Sequence, residues 1–161
     1  MRSTPMLSQM QRLSLEAEGR YATDEELKFI PEYLKTYELR LQTYQKLQEI
    51  EAVVIQQVYE KMTNQDPTVF KSGATDIASK WKRDTIRTWR FSAATLLIDD
   101  QESLRERFLF WYQGVMRAFG SQRASNMTYS IMQEVVKKQL IPSQNALIMP
   151  ILELNRRMLS V

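Results

Sequence analysis

The sequence predicts an all-α bundle of seven or eight helices in one domain, and three observations predict it. Apolar residues recur at spacings of three and four along nearly the whole chain, the period of one helix face. No stretch alternates apolar and polar as a half-buried strand does. Breakers are scarce, with 4 Gly and 5 Pro in 161 residues, and 43% hydrophobic residues suffice for one core.

Taken in order, Met6, Met10, Leu13 and Ala17 form the stripe of a first amphipathic helix running to about Gly19. Thr23-Asp24-Glu25-Glu26 is a capping box and opens the second. Its stripe is Leu27, Ile30, Leu34, Tyr37, Leu41 and Tyr44, and Pro31 predicts either a kink or a late start. Leu47, Ile50, Val54, Val58 and Met62 form a third face, ended by Asn64 to Pro67. The segment from Asp66 to Ala74, with Pro67, Ser72 and Gly73, is the clearest loop. A long helix from about Thr75 to Leu97 places Ile77, Trp81, Thr85 and Thr88 on one face, and Asp99-Asp100 punctuates it. Leu104, Phe108, Trp111 and Val115 make the next, with Gly120 as its C-terminal stop. Met127, Ile131, Val135 and Val136 make another; Pro142-Ser143 then precedes a final helix, Gln144 to about Leu159, that Pro150 should bend. Such a set of helices suits globin-like packing.

Composition narrows function by exclusion. There is no Cys, hence no disulfide, thiolate nucleophile or thioether-linked cofactor, and no His, the commonest acid–base group, metal ligand and haem ligand. No paired carboxylates suggest catalysis, so the chain is read as a non-enzyme without a metal site. Glu25-Glu26 and Asp99-Asp100 sit where helices start and are read as caps. No apolar run is long enough to span a membrane, and Met1 to Met10 lacks the apolar region of a signal peptide. A cytoplasmic location is the expectation. The net charge of +3 is mild. One stretch concentrates it: Lys80, Arg83, Arg87 and Arg90, spaced 3, 4, 3, with Trp81 and Trp89 beside them. This stripe reads as a solvated cationic face or as an anion site for propionates, phosphates or nucleic acid.

Ala17-Glu18-Gly19-Arg20-Tyr21 with Glu26-Leu27, Arg40-Leu41, Gln45, Leu47, Pro67, Val69, Gly73, Arg83-Asp84, Arg90, Asp100, Gly120 and the tail from Pro142 to Leu159 resemble, in order, the phycobiliproteins. These are light-harvesting subunits of the cyanobacterial phycobilisome, and the likeness is nearest to allophycocyanin-type core subunits. The resemblance implies a globin-like bundle over 1–161 with an N-terminal helical extension, about 1–22, used for pairing subunits. It also implies a Cys carrying a linear tetrapyrrole three residues before an Asp. That Asp is Asp84, but the Cys position is Trp81, so covalent attachment is chemically impossible and the Trp would fill the pocket. Lys82 and Arg87-Thr88 also depart from the family pattern.

The relic or possible ligand pocket is therefore Trp81, Arg83, Asp84 and Arg87. The family's interfacial acid and Arg fall at Glu16 and Arg90, with Met6, Met10 and Leu13 as apolar contacts between subunits. The resulting expectation is a non-pigmented, phycobilisome-protein-like interaction module. It would serve assembly, regulation or structure of the cyanobacterial photosynthetic apparatus at the cytoplasmic face of the thylakoid. Its partners would be phycobilisome or photosystem-assembly proteins, with a homo- or heterodimer of family members. The alternatives are a non-covalent bilin or apolar-ligand binder, in which Arg83 and Arg87 hold propionates and Asp84 the pyrrole nitrogens, and a nucleic-acid-binding regulator.

Overall fold

The structure is a computed structural model that describes residues 5–161; the first four residues of the expected pairing region at about 1–22 lie outside the described residues. Helix α1 spans Met6–Glu16, α2 Asp24–Leu27 and α3 Phe29–Gln65. Two short strands follow, β1 Lys71–Ser72 and β2 Thr75–Asp76. Then come α4 Ala78–Ile98, α5 Gln101–Leu104, a π turn Arg105–Leu109, α6 Phe110–Ala118, α7 Gln122–Gln139 and α8 Pro142–Leu159. The core lies where α3 crosses α4 and α7, and where α8 packs on α7 and α4. Leu47, Val54, Val58, Met62, Leu96, Met132, Ile148 and Leu152 fill it.

Several boundaries depart from expectation for identifiable reasons. The first helix ends at Glu16 rather than Gly19. The Thr23 box forms: its Oγ1 accepts from Glu26 N–H at 3.2 Å, and Glu26 Oε2 accepts from Thr23 N–H at 2.8 Å. The expected second and third helices are one 37-residue helix, α3. Pro31 stands in its first turn, where a backbone N–H has no helical partner, so it starts the helix instead of kinking it.

The two strands contradict the strand-free reading. They form a minimal antiparallel hairpin, pairing Lys71 with Asp76 and Ser72 with Thr75. Its two-residue loop begins with Gly73 at φ +62°, the positive φ that such a loop requires at its first position. The long helix accordingly starts at Ala78, where Asp76 Oδ1 accepts the Ala78 N–H at 2.8 Å.

The run 101–118 also turns differently from its sequence period. Leu104 and Phe108 point inward as expected, but Trp111 is 61% exposed, while Tyr112 and Met116 are buried. A π turn winds in one extra residue, and from there the inner face moves on by one position. Gly120 stops the run at φ +62°: its N–H donates to Arg117 O, and Ser121 N–H reaches Met116 O at 2.9 Å.

Asp99 and Asp100 are not a matched pair of caps. Asp100 caps α5, its Oδ1 accepting from Ser103 N–H at 3.0 Å. Asp99 ends α4 in the left-handed region, φ 51°, and is buried against Arg40, whose Nη2 lies 3.1 Å from Asp99 Oδ1. α8 begins at Pro142, in the first helical position, and continues through Pro150. Pro150 and Ala146 are both exposed, so the carbonyl that Pro150 cannot bond is open to water.

Candidate functional site

Between α4, α6 and α7 lies a cavity of about 120 Å³. Trp81 forms one wall. Its indole Nε1 donates to Thr128 Oγ1 at 2.9 Å, and its ring sits 5.0 Å from Phe70 and 6.1 Å from Tyr59. Thr128 in turn donates to Ala124 O at 2.7 Å. Asp84, Thr85, Tyr112, Tyr129, Met116 and Leu159 complete the interior. At the rim the Lys80 ammonium rests 3.8 Å from the centre of the Phe119 ring. Burial pushes the hydroxyl pKa of both Tyr112 and Tyr129 above the usual tyrosine range, so each stays protonated.

The expected pocket set is divided. Trp81 and Asp84 line the cavity, whereas Arg83 and Arg87 turn to the outer surface. There they border a shallow groove with Ser79, Lys82, Ile86, Arg90 and Phe91. The cationic stripe is therefore Lys82, Arg83, Arg87 and Arg90; Lys80 has left it for Phe119. Trp89 cannot stack on a ligand there, because it is buried with its Nε1 donating to Leu47 O at 3.2 Å.

The cavity does not fit the tetrapyrrole that the family resemblance implies. A cavity of about 150 Å³ takes one benzene ring, and drug-sized ligands need roughly 300–1,000 Å³. Four pyrrole rings exceed 120 Å³ several-fold, and the Trp81 ring stands where the attachment thiol would be. With no Cys in the chain there is no covalent bilin.

A second candidate surface surrounds the N-terminal helices. The apolar stripe ahead of Leu47 reaches the core only in part: Tyr44 packs against it and Ile30 and Leu41 are half-buried, but Leu34 is 60% and Tyr37 43% exposed. The inward line is Phe29, Tyr33, Arg40, Thr43 and Leu47. Arg40, only 5% exposed, turns inward because it finds partners there. Its Nη1 donates to Leu96 O at 2.7 Å and its Nε to Thr36 Oγ1 at 3.0 Å, besides the Asp99 pair. Burial lowers its pKa, and Asp99 opposes that. Nothing in the sequence period signals that Arg40 is buried while Leu34 and Tyr37 are exposed.

Helix α1 lies on α3 and α5 with no buried residue. Met6 and Leu13 are half-buried, Met10 and Glu16 exposed, and Leu15 is 76% exposed. Its first turn is fixed by Asp100, whose Oδ2 accepts from Ser8 N–H at 2.6 Å and whose Oδ1 accepts from Ser8 Oγ at 3.0 Å. Arg90 is held by Glu51 within the chain. Nε donates to Oε2 at 2.9 Å and Nη2 to Oε1 at 2.7 Å, which raises the guanidinium pKa. The sequence reading missed Glu51, 39 positions away, since no local spacing reveals such a pair.

Among the described residues no group of acids could hold a metal ion, and no helix is long and apolar enough to cross a membrane. The architecture defines a class: a globin-like all-α bundle with a helical N-terminal extension and a constricted pocket beside α4. The chain belongs to the phycobilisome protein family, whose model matches residues 13–159. No curated protein matches it.

Proposed function

We propose that this protein is a non-pigmented phycobilisome-family interaction module. It pairs with a second family member, itself or a relative, in assembly, regulation or structural support of the photosynthetic apparatus at the cytoplasmic face of the thylakoid. The observation that carries the reading is the N-terminal end of α3: Leu34 and Tyr37 lie exposed on it, and α1 buries no residue of its own. Exposed apolar surface of this kind marks a protein-contact site. The Trp81 wall supports the non-pigmented half of the reading.

In this reading Met6, Met10 and Leu13 are apolar contacts, joined by Leu34 and Tyr37. Arg90 presents its remaining Nη1 to Glu16 of the partner, with Glu51 holding the guanidinium in place. A charged pair of this kind sets register more than affinity. The module performs no catalysis.

Sedimentation across a concentration range, alone and with candidate family partners, tests the reading. Leu13→Asp keeps helical circular dichroism and weakens association by roughly 1–3 kcal/mol, the range for an anchored apolar contact. Combining Glu16→Arg with Arg90→Glu recovers part of what either reversal loses. A Leu13→Asp protein that associates unchanged, or a wild type that stays monomeric with every partner, removes the pairing model.

A further inference from the structure

The constricted cavity is walled by rings and narrowed by interactions that the chain makes with itself. We propose that it binds a neutral, single-ring aromatic molecule carrying one hydrogen-bond donor, of the size of phenol. Three features lead there, and none depends on pairing.

Size comes first. The 120 Å³ lies near the volume that accepts one benzene ring and below that of a two-ring ligand with substituents. The walls come second. Phe70, Trp81, Tyr112 and Tyr129 offer ring faces and edges. Trp81 is fixed by its Thr128 bond and by Phe70, so that wall is set before a ligand arrives. Charge comes third. Lys80 and Asp84, one helical turn apart on α4, both line the space. Opposite charges on the two leave no net attraction to offset the desolvation of a carboxylate or an ammonium ligand, so a neutral ring is favoured. The nearest cation to Asp84 is Arg83, with Nε 3.8 Å from Oδ1, too far for a hydrogen bond. The carboxylate thus keeps acceptor capacity for a ligand hydroxyl or ring N–H.

The probe is phenol, titrated into the whole protein and followed by amide chemical shifts. The expected result is saturable binding, with shifts concentrated at residues 77–85 and 112–129. Benzoate and benzylammonium bind at least about tenfold more weakly, and 2-naphthol is excluded for size. Ala124→Leu, which fills the cavity from α7, weakens phenol at least about tenfold while the helical circular dichroism is retained. Trp81→Ala admits 2-naphthol. Non-saturating phenol shifts, shifts spread over the surface, or wild-type binding of 2-naphthol overturn the proposal. So does benzoate or benzylammonium binding as tightly as phenol. The wild-type ligand series decides the matter even if a variant does not fold.

Discussion

Asp100 caps two helices with one carboxylate, and cutting that link separates the attachment of α1 from the stability of the rest. Its side chain is fully buried and accepts from Ser103 N–H in α5 and from the N–H and Oγ of Ser8 in α1. Asp100→Ala removes all three bonds. Losing the α5 cap costs about 1 kcal/mol, and bonds to a buried charge contribute about 1.5–3 kcal/mol each. Ser8 is only half-buried and rehydrates, which keeps each of its two bonds at the low end, so the total is about 4 kcal/mol. In a domain of this size that lowers Tm by about 8–16 °C. Asp100→Asn separates the two roles. Its one carbonyl oxygen still caps α5, since Asn and Asp cap equally well, but its NH₂ cannot accept the Ser8 N–H. Losing the Ser8 N–H bond alone then lowers global stability by about 1–2 kcal/mol, at most half of the alanine loss, and raises amide exchange over residues 10–16 by about 5–30-fold. Hydrogen exchange by mass spectrometry reads the segment directly. Unchanged exchange in Asp100→Asn would refute the claim that Asp100 anchors α1.

Other outcomes follow from the same geometry. Asp99→Asn retains a residue tolerant of φ 51° but leaves Arg40 charged and buried; it costs about 3–5 kcal/mol in urea unfolding, much of which returns in the double variant with Arg40→Met. Glu153, bonded by Arg156 and Gln133, has its pKa lowered to about 2 from 4.5. Its folded pKa lies below the unfolded one, so its contribution is complete above about pH 4.5 and fades as pH falls towards 2; Glu153→Gln should flatten that part of the acid-unfolding curve, while carboxyl NMR titration locates the pKa.

Helix existence was legible because most elements carry their own period and punctuation: the Thr23 box, Gly120 and Pro142 each mark a real boundary. What was illegible depended on partners distant in sequence. The apolar period of α3 did not show that Arg40 is buried while Leu34 and Tyr37 are exposed, because only the meeting of Arg40 with Asp99 and Leu96 O turns a charged residue inward. The π turn could not be read from spacing, since one extra residue shifts the face without changing composition. Two-residue strands are too short to display alternation. At the candidate site, Trp81 and Asp84 were legible from the family pattern. The division of Arg83 and Arg87 from them was not, because it depends on which side of α4 meets α7.

α3 also has a mechanical consequence. At 1.5 Å per residue its 37 residues reach about 55 Å, and from Tyr33 to Tyr59 is about 40 Å. One end of this spar carries the exposed Leu34 and Tyr37, and near the other Tyr59 stacks on Phe70 beside Trp81 while Met62 meets Thr128. The proline lies in the first turn, and no other interrupts the helix. A partner that grips the near end would therefore hold a lever: a tilt of about 1.5° displaces the far end by roughly 1 Å, enough to change the bore of the space beside Trp81.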